Sequence, residues 1–514
     1  MAIHTFRLYN ALTRKVERLE PAQKADDGTP ILRFYSCGPT VYSYAHIGNF
    51  RTFLTADLIV RTARAIGWRV NYVSNVTDVG HLTEDDAADG AGEDRMAKAL
   101  KSKEGEQFAN VWDLARHYTE ALLSDWKALN LLEPNVRPRA TEHVREQIRA
   151  VEALIENGHA YETKDGVYFH VPSFENYGVL SGNRDIDSLA VGSAAESRDV
   201  VVDEGKKDPR DFALWKKDDA HLMQWYSPFG WGFPGWHLEC SVMAQKYLGD
   251  TIDLHGGGED LRFPHHECEI AQAESISGKS FSRHWSHTRF LQVEGQKMSK
   301  RDGNFLTVHD LTASEEDGGR ADWGAPVDPL SLRLALISGH YGKPFNFTHG
   351  ALKSAAKNVQ RYREALDVVL EAIQADRSGE DVLSTQLEAA YSDALEAMCD
   401  DLNTPMALAA AYRGTNAILS THHEEPLSSE SARSASAFLD RINALLGIVQ
   451  NEYTHEVDGP STDLSEQVEA LLTQRAEARD SKNWARADEI RNELDALGVE
   501  VMDSPKGTTW RKKI

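Results

Sequence analysis

Cysteine is scarce in this 514-residue chain: four residues, too few for a disulfide scaffold. No stretch approaches the twenty or so apolar residues needed to cross a bilayer, and the opening MAIHTFRLYN has no signal-peptide core. Basic charge is also short. Lys and Arg number 56 against 80 Asp and Glu, a formal net charge of −24, which argues against coating nucleic acid by bulk charge but leaves room for a local basic patch. No internal repeat is visible. What remains is ordinary globular composition, 41% hydrophobic and 26% charged, in a chain long enough for roughly three to five domains. The expectation is a soluble, cytoplasmic, multidomain protein without a membrane partner.

The run from Ile31 to Cys37 predicts a buried strand, broken by Gly38-Pro39. The stretch that follows the loop places Phe53, Leu54, Leu58, Ile59 and Ala63 on a helix, with Gly67 as its stop. Val70 to Val76 predicts a second strand. Strand, helix and strand in this order make a βαβ unit, so an α/β fold with a doubly wound parallel sheet begins near residue 30. The acidic segment from Glu84 to Asp94 reads as a solvated loop. Thr141 is expected to cap a helix over 141–157, and strand signals follow at VYFHV and FALWK. From His349 onward the pattern turns to long amphipathic helices, 350–375, 384–399, 404–420 and 431–446. The predicted organisation is a sheet domain in two halves, 1–110 and 235–290, split by an insertion over 111–234. A loop region, 291–348, a helical region, 349–450, and a small terminal domain, 463–514, with two helices and a strand-and-turn tail, come after it.

Three segments carry chemistry. Cys37 to Asn49 joins the first strand to its helix, where an α/β sheet binds ligands; helix-start amides attract phosphate, and His46 and Asn49 can donate to it. Lys297-Met298-Ser299-Lys300 offers two lysines three apart, able to neutralise charge in phosphoryl chemistry. Cys37, Cys240 and His265 with a carboxylate form a zinc-type donor set. Glu269 lies i+4 from His265 and Cys268 lies i+3, so helical spacing leaves both open as the fourth ligand. Taken singly, these are a polar loop with a capping Asn, an exposed loop, and small buried thiols. Together, in this order on this fold, they are specific.

The pairing of the first loop with the lysine loop resembles the class I aminoacyl-tRNA synthetases. The whole set is similar to the cysteinyl-tRNA synthetase family: Cys37-Gly-Pro-Thr-Val-Tyr, Trp236-His-Leu-Glu-Cys240, His255-Gly-Gly-Gly, Asp260, Phe263-Pro-His265-His-Glu-Cys-Glu269, the lysine loop, and Gly507-Thr-Thr-Trp510-Arg511. The resemblance implies a Rossmann catalytic domain with a connective insertion, a tRNA-binding helical bundle and a C-terminal anticodon-binding domain. It implies one zinc per chain on Cys37, Cys240, His265 and Glu269, with Glu269 preferred to Cys268 on the family pattern. Gly38, Thr77 and Trp236 would surround substrate cysteine. Pro39, Thr40, His46, Gly48, Asn49, His255, Gly257, Asp260 and Lys300 would surround ATP and its magnesium, and His46, Asn49, Lys297 and Lys300 would serve catalysis. Arg479, Asp488, Asp503 and Trp510 would read tRNA(Cys). A monomer acting on L-cysteine, ATP and tRNA(Cys) is expected. The soft metal prefers sulfur, so serine is rejected without editing.

Some features depart from the family or point only mildly. The lysine loop continues Arg301-Asp302-Gly303-Asn304 where the family has Ser-Leu-Gly-Asn. From Arg475 to the end, nine basic residues face eight acidic ones, mild support for a phosphate footprint, while Trp484 and Trp510 suit either base stacking or core packing. Two rivals remain in view. A ligase joining cysteine to an amino sugar would lack the terminal RNA-reading segment, and a non-catalytic paralogue would have no need of both lysines and the ligand set.

Overall fold

The computed structural model describes residues 4–80, 94–182, 205–219, 221–299 and 302–451, and parts of 471–512. The strand Pro30–Ser36 (β1) leads through the first loop into the helix Ile47–Ala65 (α1), and Arg69–Ser74 (β2) returns parallel to β1. Gly67, at a left-handed φ of +85°, ends the helix as its sequence position predicts. Beyond the insertion come the helix Trp236–Leu248 (α2), the strand Leu254–Gly258 (β3), the helix His265–Ser277 (α3) and the strand Trp285–Thr288 (β4). The sheet order is β4-β3-β1-β2, all parallel, with a short antiparallel edge at Gln23–Lys24. The chain therefore winds one way from β1 to β2 and the other way from β1 to β3. That reversal opens a crevice at the carboxyl ends of β1 and β3, the place where such sheets take ligands.

The insertion holds a separate five-stranded antiparallel sheet, including Gly166–Phe169 and Phe212–Lys217 where the strand signals stood. Its aromatic core, with Phe169, Phe212 and Trp215, also takes in Cys268. The expected helix 141–157 is corrected at its start. A 3-10 turn covers Ala140–His143 and the α-helix spans Val144–Glu156. Thr141 is not its cap, because its amide and hydroxyl both donate to the buried Asp78 carboxylate.

Four further helices follow the short helix Pro329–Ile337 (α4): His349–Ala375 (α5), Ser384–Cys399 (α6), Thr404–Glu424 (α7) and Ser429–Leu446 (α8). Their cores are the apolar faces read from the sequence, and each is longer than or equal to its predicted span. Residues 452–514 form a second compact unit. Within it Arg475 and Ile490 are helical, and Val499–Ser504 pairs antiparallel with Gly507–Lys512. Among the described residues no helix is long and apolar enough to cross a membrane. The acidic stretch from Glu84 to Glu93 lies outside the described residues.

Candidate active site

The crevice is built from the ends of β1 and β3 and the starts of α1, α2 and α3. β1 ends just before Cys37, whose amide donates to Gly256 O at 3.1 Å, tying the tips of the two central strands together. Gly38 is required next: a Cβ there would stand 1.7 Å from Asn75 O. Thr40 and Thr77 then form a bridge, with Val41 N–H donating to Thr77 O and Thr77 N–H to Pro39 O. His46 is the cap of α1. Its Nδ1 accepts the Asn49 amide at 3.1 Å while Asn49 Oδ1 accepts the His46 amide, a reciprocal capping box. The capping role assigned to Asn49 by itself thus belongs to the pair.

The lysine loop reaches this helix start. A Cβ on Gly48 would meet Met298 Cε at 3.0 Å, Ile47 N–H donates to Leu306 O, and the rings of His46 and Phe305 meet edge to face. Two motifs some 250 residues apart are therefore neighbours. Lys297 ends an exposed hairpin strand; Lys300 and Arg301 lie outside the described residues. Asn304 spans the loop, accepting the Ser299 amide and donating to Lys297 O.

Where the first loop begins, Cys37 gathers with Cys240, His265 and Glu269, all buried, with ligand atoms within 4.8 Å of one another. Zinc–sulfur bonds of about 2.3 Å at a tetrahedral angle separate two thiolates by about 3.8 Å. The two cysteine sulfurs are 3.7 Å apart, Cys37 Sγ is 3.6 Å from Glu269 Oε1, and His265 Nε2 is 3.1 Å from the same oxygen. The donor chemistry and the spacing fit one thiophilic ion. A second group of four, Cys37, His255, His266 and Glu269, shares two members with the first. Cys268 belongs to neither; its sulfur turns to the Tyr177 hydroxyl, 3.5 Å away.

Neighbours orient these donors. His237 Nδ1 lies 2.9 Å from His265 Nδ1, so Nε2 of His265 is the nitrogen presented to the cluster. His255 Nε2 meets the outer oxygen of Glu269 at 2.8 Å, and His266 Nε2 lies 3.4 Å from Cys37 Sγ with its other nitrogen on His287. Burial drives His237 and His266 well below the ordinary histidine range, so both are neutral imidazoles. Burial acts against the charge on Glu269, but His255 and His265 overcome it and hold the carboxyl well below its usual range. Trp236 covers His265, ring centroids 4.4 Å apart, and Thr77 donates to the fully buried Glu239, whose acidity burial weakens strongly.

Residues 26–358 match the family described as tRNA synthetases class I (C) catalytic domain. Residues 395–450 match a DALR domain and 461–511 a cysteinyl-tRNA ligase anticodon binding domain. A cysteine–tRNA ligase of Salinibacter ruber is 57% identical over 99% of this chain and 98% of its own length. The chain belongs to the cysteinyl-tRNA synthetase family. Another member, from Thermus thermophilus, is 40% identical over 98% of both chains. Among solved structures, a Mycobacterium tuberculosis methionyl-tRNA synthetase with methionyl-adenylate shares the fold at 14% identity and a TM-score of 0.57, covering 83% of this chain and 93% of that one.

Of the residues carried over from the cysteinyl-tRNA synthetase pattern, Pro39, Thr40, His46, Gly48 and Asn49 lie along the loop from β1 to the start of α1. Gly257 stands where a Cβ would press within 2.8 Å of the His266 ring, and His255, grouped with ATP by the pattern, is fully buried against Glu269. Asp260 follows the glycines, close enough that a Cβ on Gly258 would meet its Oδ1. Arg479 and Asp488 lie outside the described residues; Asp503 pairs with Thr508 and Trp510 with Val501 on the terminal hairpin. Glu239, His237, His266 and His287 were missed. The only local signal was a charged or imidazole side chain amid residues of high burial propensity, as in Trp236-His-Leu-Glu-Cys240.

Proposed function

We propose that this protein activates L-cysteine with ATP and transfers it to tRNA(Cys), with selectivity over serine resting on a zinc site. The observation that carries the reading is a buried donor cage with the sulfur spacing of a thiophilic ion, whose Cys37 opens the same loop that meets the lysine loop at Gly48. Cys37, Cys240, His265 and Glu269 would hold the zinc, which when bound supplies an anchor for sulfur that an oxygen analogue satisfies poorly. Trp236 and Thr77 would orient the substrate beside it.

The first step forms a bond between a cysteine carboxylate oxygen and the α-phosphorus and breaks the bond to pyrophosphate. In the second, the terminal ribose hydroxyl attacks the activated carbonyl carbon, AMP departs, and the hydroxyl proton is lost to solvent. The work is positioning and charge stabilisation, so no general base is required. The amides opening α1, with His46 and Asn49, would hold phosphate oxygens, and Lys297 and Lys300 would take up charge developing toward pyrophosphate. Magnesium accompanies ATP. Cysteine-dependent ATP–pyrophosphate exchange, followed by charging of tRNA bearing a cysteine anticodon, tests this. Exchange without charging would favour the amino-sugar ligase; neither activity would favour a binding paralogue.

Purified protein should carry one zinc per chain, and Cys240→Ala should lose the metal together with cysteine activation. Metal analysis of Cys268→Ala and Glu269→Ala discriminates the fourth ligand: loss in the former with retention in the latter would sink the assignment. Removing residues 463–514, which fall within a compact unit of their own, should leave exchange largely intact and sharply reduce charging. Equal loss of both would mean that this segment supports the catalytic core.

A further inference from the structure

The histidines around the cage give Cys37 a donor, through His266, and give Glu269 one through His255. Apart from the ligand His265, Cys240 has no such histidine; the side chain against its sulfur is Asn75, whose Oδ1 lies 3.8 Å away, already accepts the Gly38 amide and has no proton to donate. Tyr35 adjoins the same sulfur. Tyr35 is the penultimate residue of β1, two positions before Cys37, and the alternation of a strand carried one residue past its end puts the two on the same side. Tyr35 is fully buried, its ring packs on His255 at 5.2 Å, and its hydroxyl has no hydrogen-bond partner. The groups acting on that hydroxyl are the sulfurs of Cys240 and Cys37 and then Glu269, three of the four donors of the cage.

An orphaned buried donor costs about 1–3 kcal/mol and calls for an explanation. A thiol is a poor acceptor, whereas a metal-bound thiolate is a charged one. With two thiolates and a carboxylate on a dication, and a substrate thiolate to follow, the buried cage is anionic and needs donors. We propose that Tyr35 is a positioning residue of the metal site, its hydroxyl donating to the Cys240 sulfur once the ion is bound. The inference rests on the metal reading above. It assigns the two cysteines different partners, an imidazole for Cys37 and a phenol for Cys240.

Tyr35→Phe removes one oxygen and adds no volume, so the fold should tolerate it. Chelator competition should show zinc affinity weakened by about 10- to 100-fold, the usual consequence of losing an outer-shell partner. In cobalt-substituted protein, the sulfur-to-metal charge-transfer band should move to lower energy as the thiolate loses its donor. Tyr72→Phe is the control. Tyr72 is likewise a buried orphan phenol, on β2, but its charged neighbours are Arg137 and Asp57 rather than the cage. It should leave both readouts unchanged. Zinc affinity within twofold of the parent in Tyr35→Phe, with an unshifted band, would overturn the proposal. So would equal losses in both variants, which would trace the effect to core packing. Parent protein that takes up neither zinc nor cobalt would instead overturn the metal reading itself.

Discussion

Lys300→Ala should slow cysteine activation by about 10²–10³ with little change in KM for ATP, the effect of removing one donor worth about 2.7–4 kcal/mol in the transition state. The reasoning starts from where charge moves. The ammonium matters most as negative charge shifts from the α-phosphate to departing pyrophosphate, and less as ATP first binds. An interaction made only at that point lowers kcat and kcat/KM together. The loop's approach to the start of α1, with Met298 against Gly48, supports delivery of the lysine there. Arg301 follows directly and is a candidate substitute cation, so the Lys300→Ala/Arg301→Ala double variant belongs beside the single one. Pre-steady-state exchange kinetics read the outcome; a raised KM at unchanged kcat would assign the lysine to ground-state binding.

Asp57→Ala should destabilise the protein by about 3–5 kcal/mol, the penalty for leaving buried charge uncompensated. Asp57, Arg61 and Arg333 are all buried. One Asp57 oxygen accepts Arg61 Nε at 2.9 Å and also Arg333 Nη2, while the other accepts the Leu132 amide at 2.8 Å. The guanidiniums then spend their remaining donors on carbonyls. Arg61 reaches Asn443, Ala444 and Asn130, and Arg333 reaches Leu446, Leu129 and Asn130. The knot thus seats α1 and α4 on the carboxyl end of α8, where cations are favoured. Burial opposes the Asp57 charge, but the two arginines prevail and hold its carboxyl below the usual range. Its contribution is therefore complete above the unfolded value of about 3.9 and is lost only as pH falls through the lower folded value. Denaturant unfolding at neutral pH measures the change; a loss below about 1 kcal/mol would show that the knot relaxes or hydrates without its carboxylate.

Much of the site was legible because its chemistry is local. The glycines after Cys37 and Lys297-Met-Ser-Lys300 are short motifs, and His265 and Glu269 share a helix face through i, i+4 geometry. Cap identity was not. Thr141 looked like a helix start, but the buried Asp78 competes for its amide and hydroxyl, and Asp78 lies 63 residues away. The choice between Cys268 and Glu269 was equally closed to spacing. Helical geometry allows either to face His265, and what separates them is that the insertion's core takes up the cysteine.

The sequence by itself determined the βαβ start, the helical bundle and the family, because hydrophobic periodicity and short motifs act within a few residues. Only the tertiary structure decided that Cys37 meets Cys240, 203 positions further along the chain, that His255 turns to Glu269, and that Asp57 holds two arginines. Those contacts depend on strand order and on how helices pack over the sheet. Parallel neighbours are joined by long crossovers, here with a whole insertion between β2 and β3, so no local pattern encodes which carboxyl ends come to share a crevice.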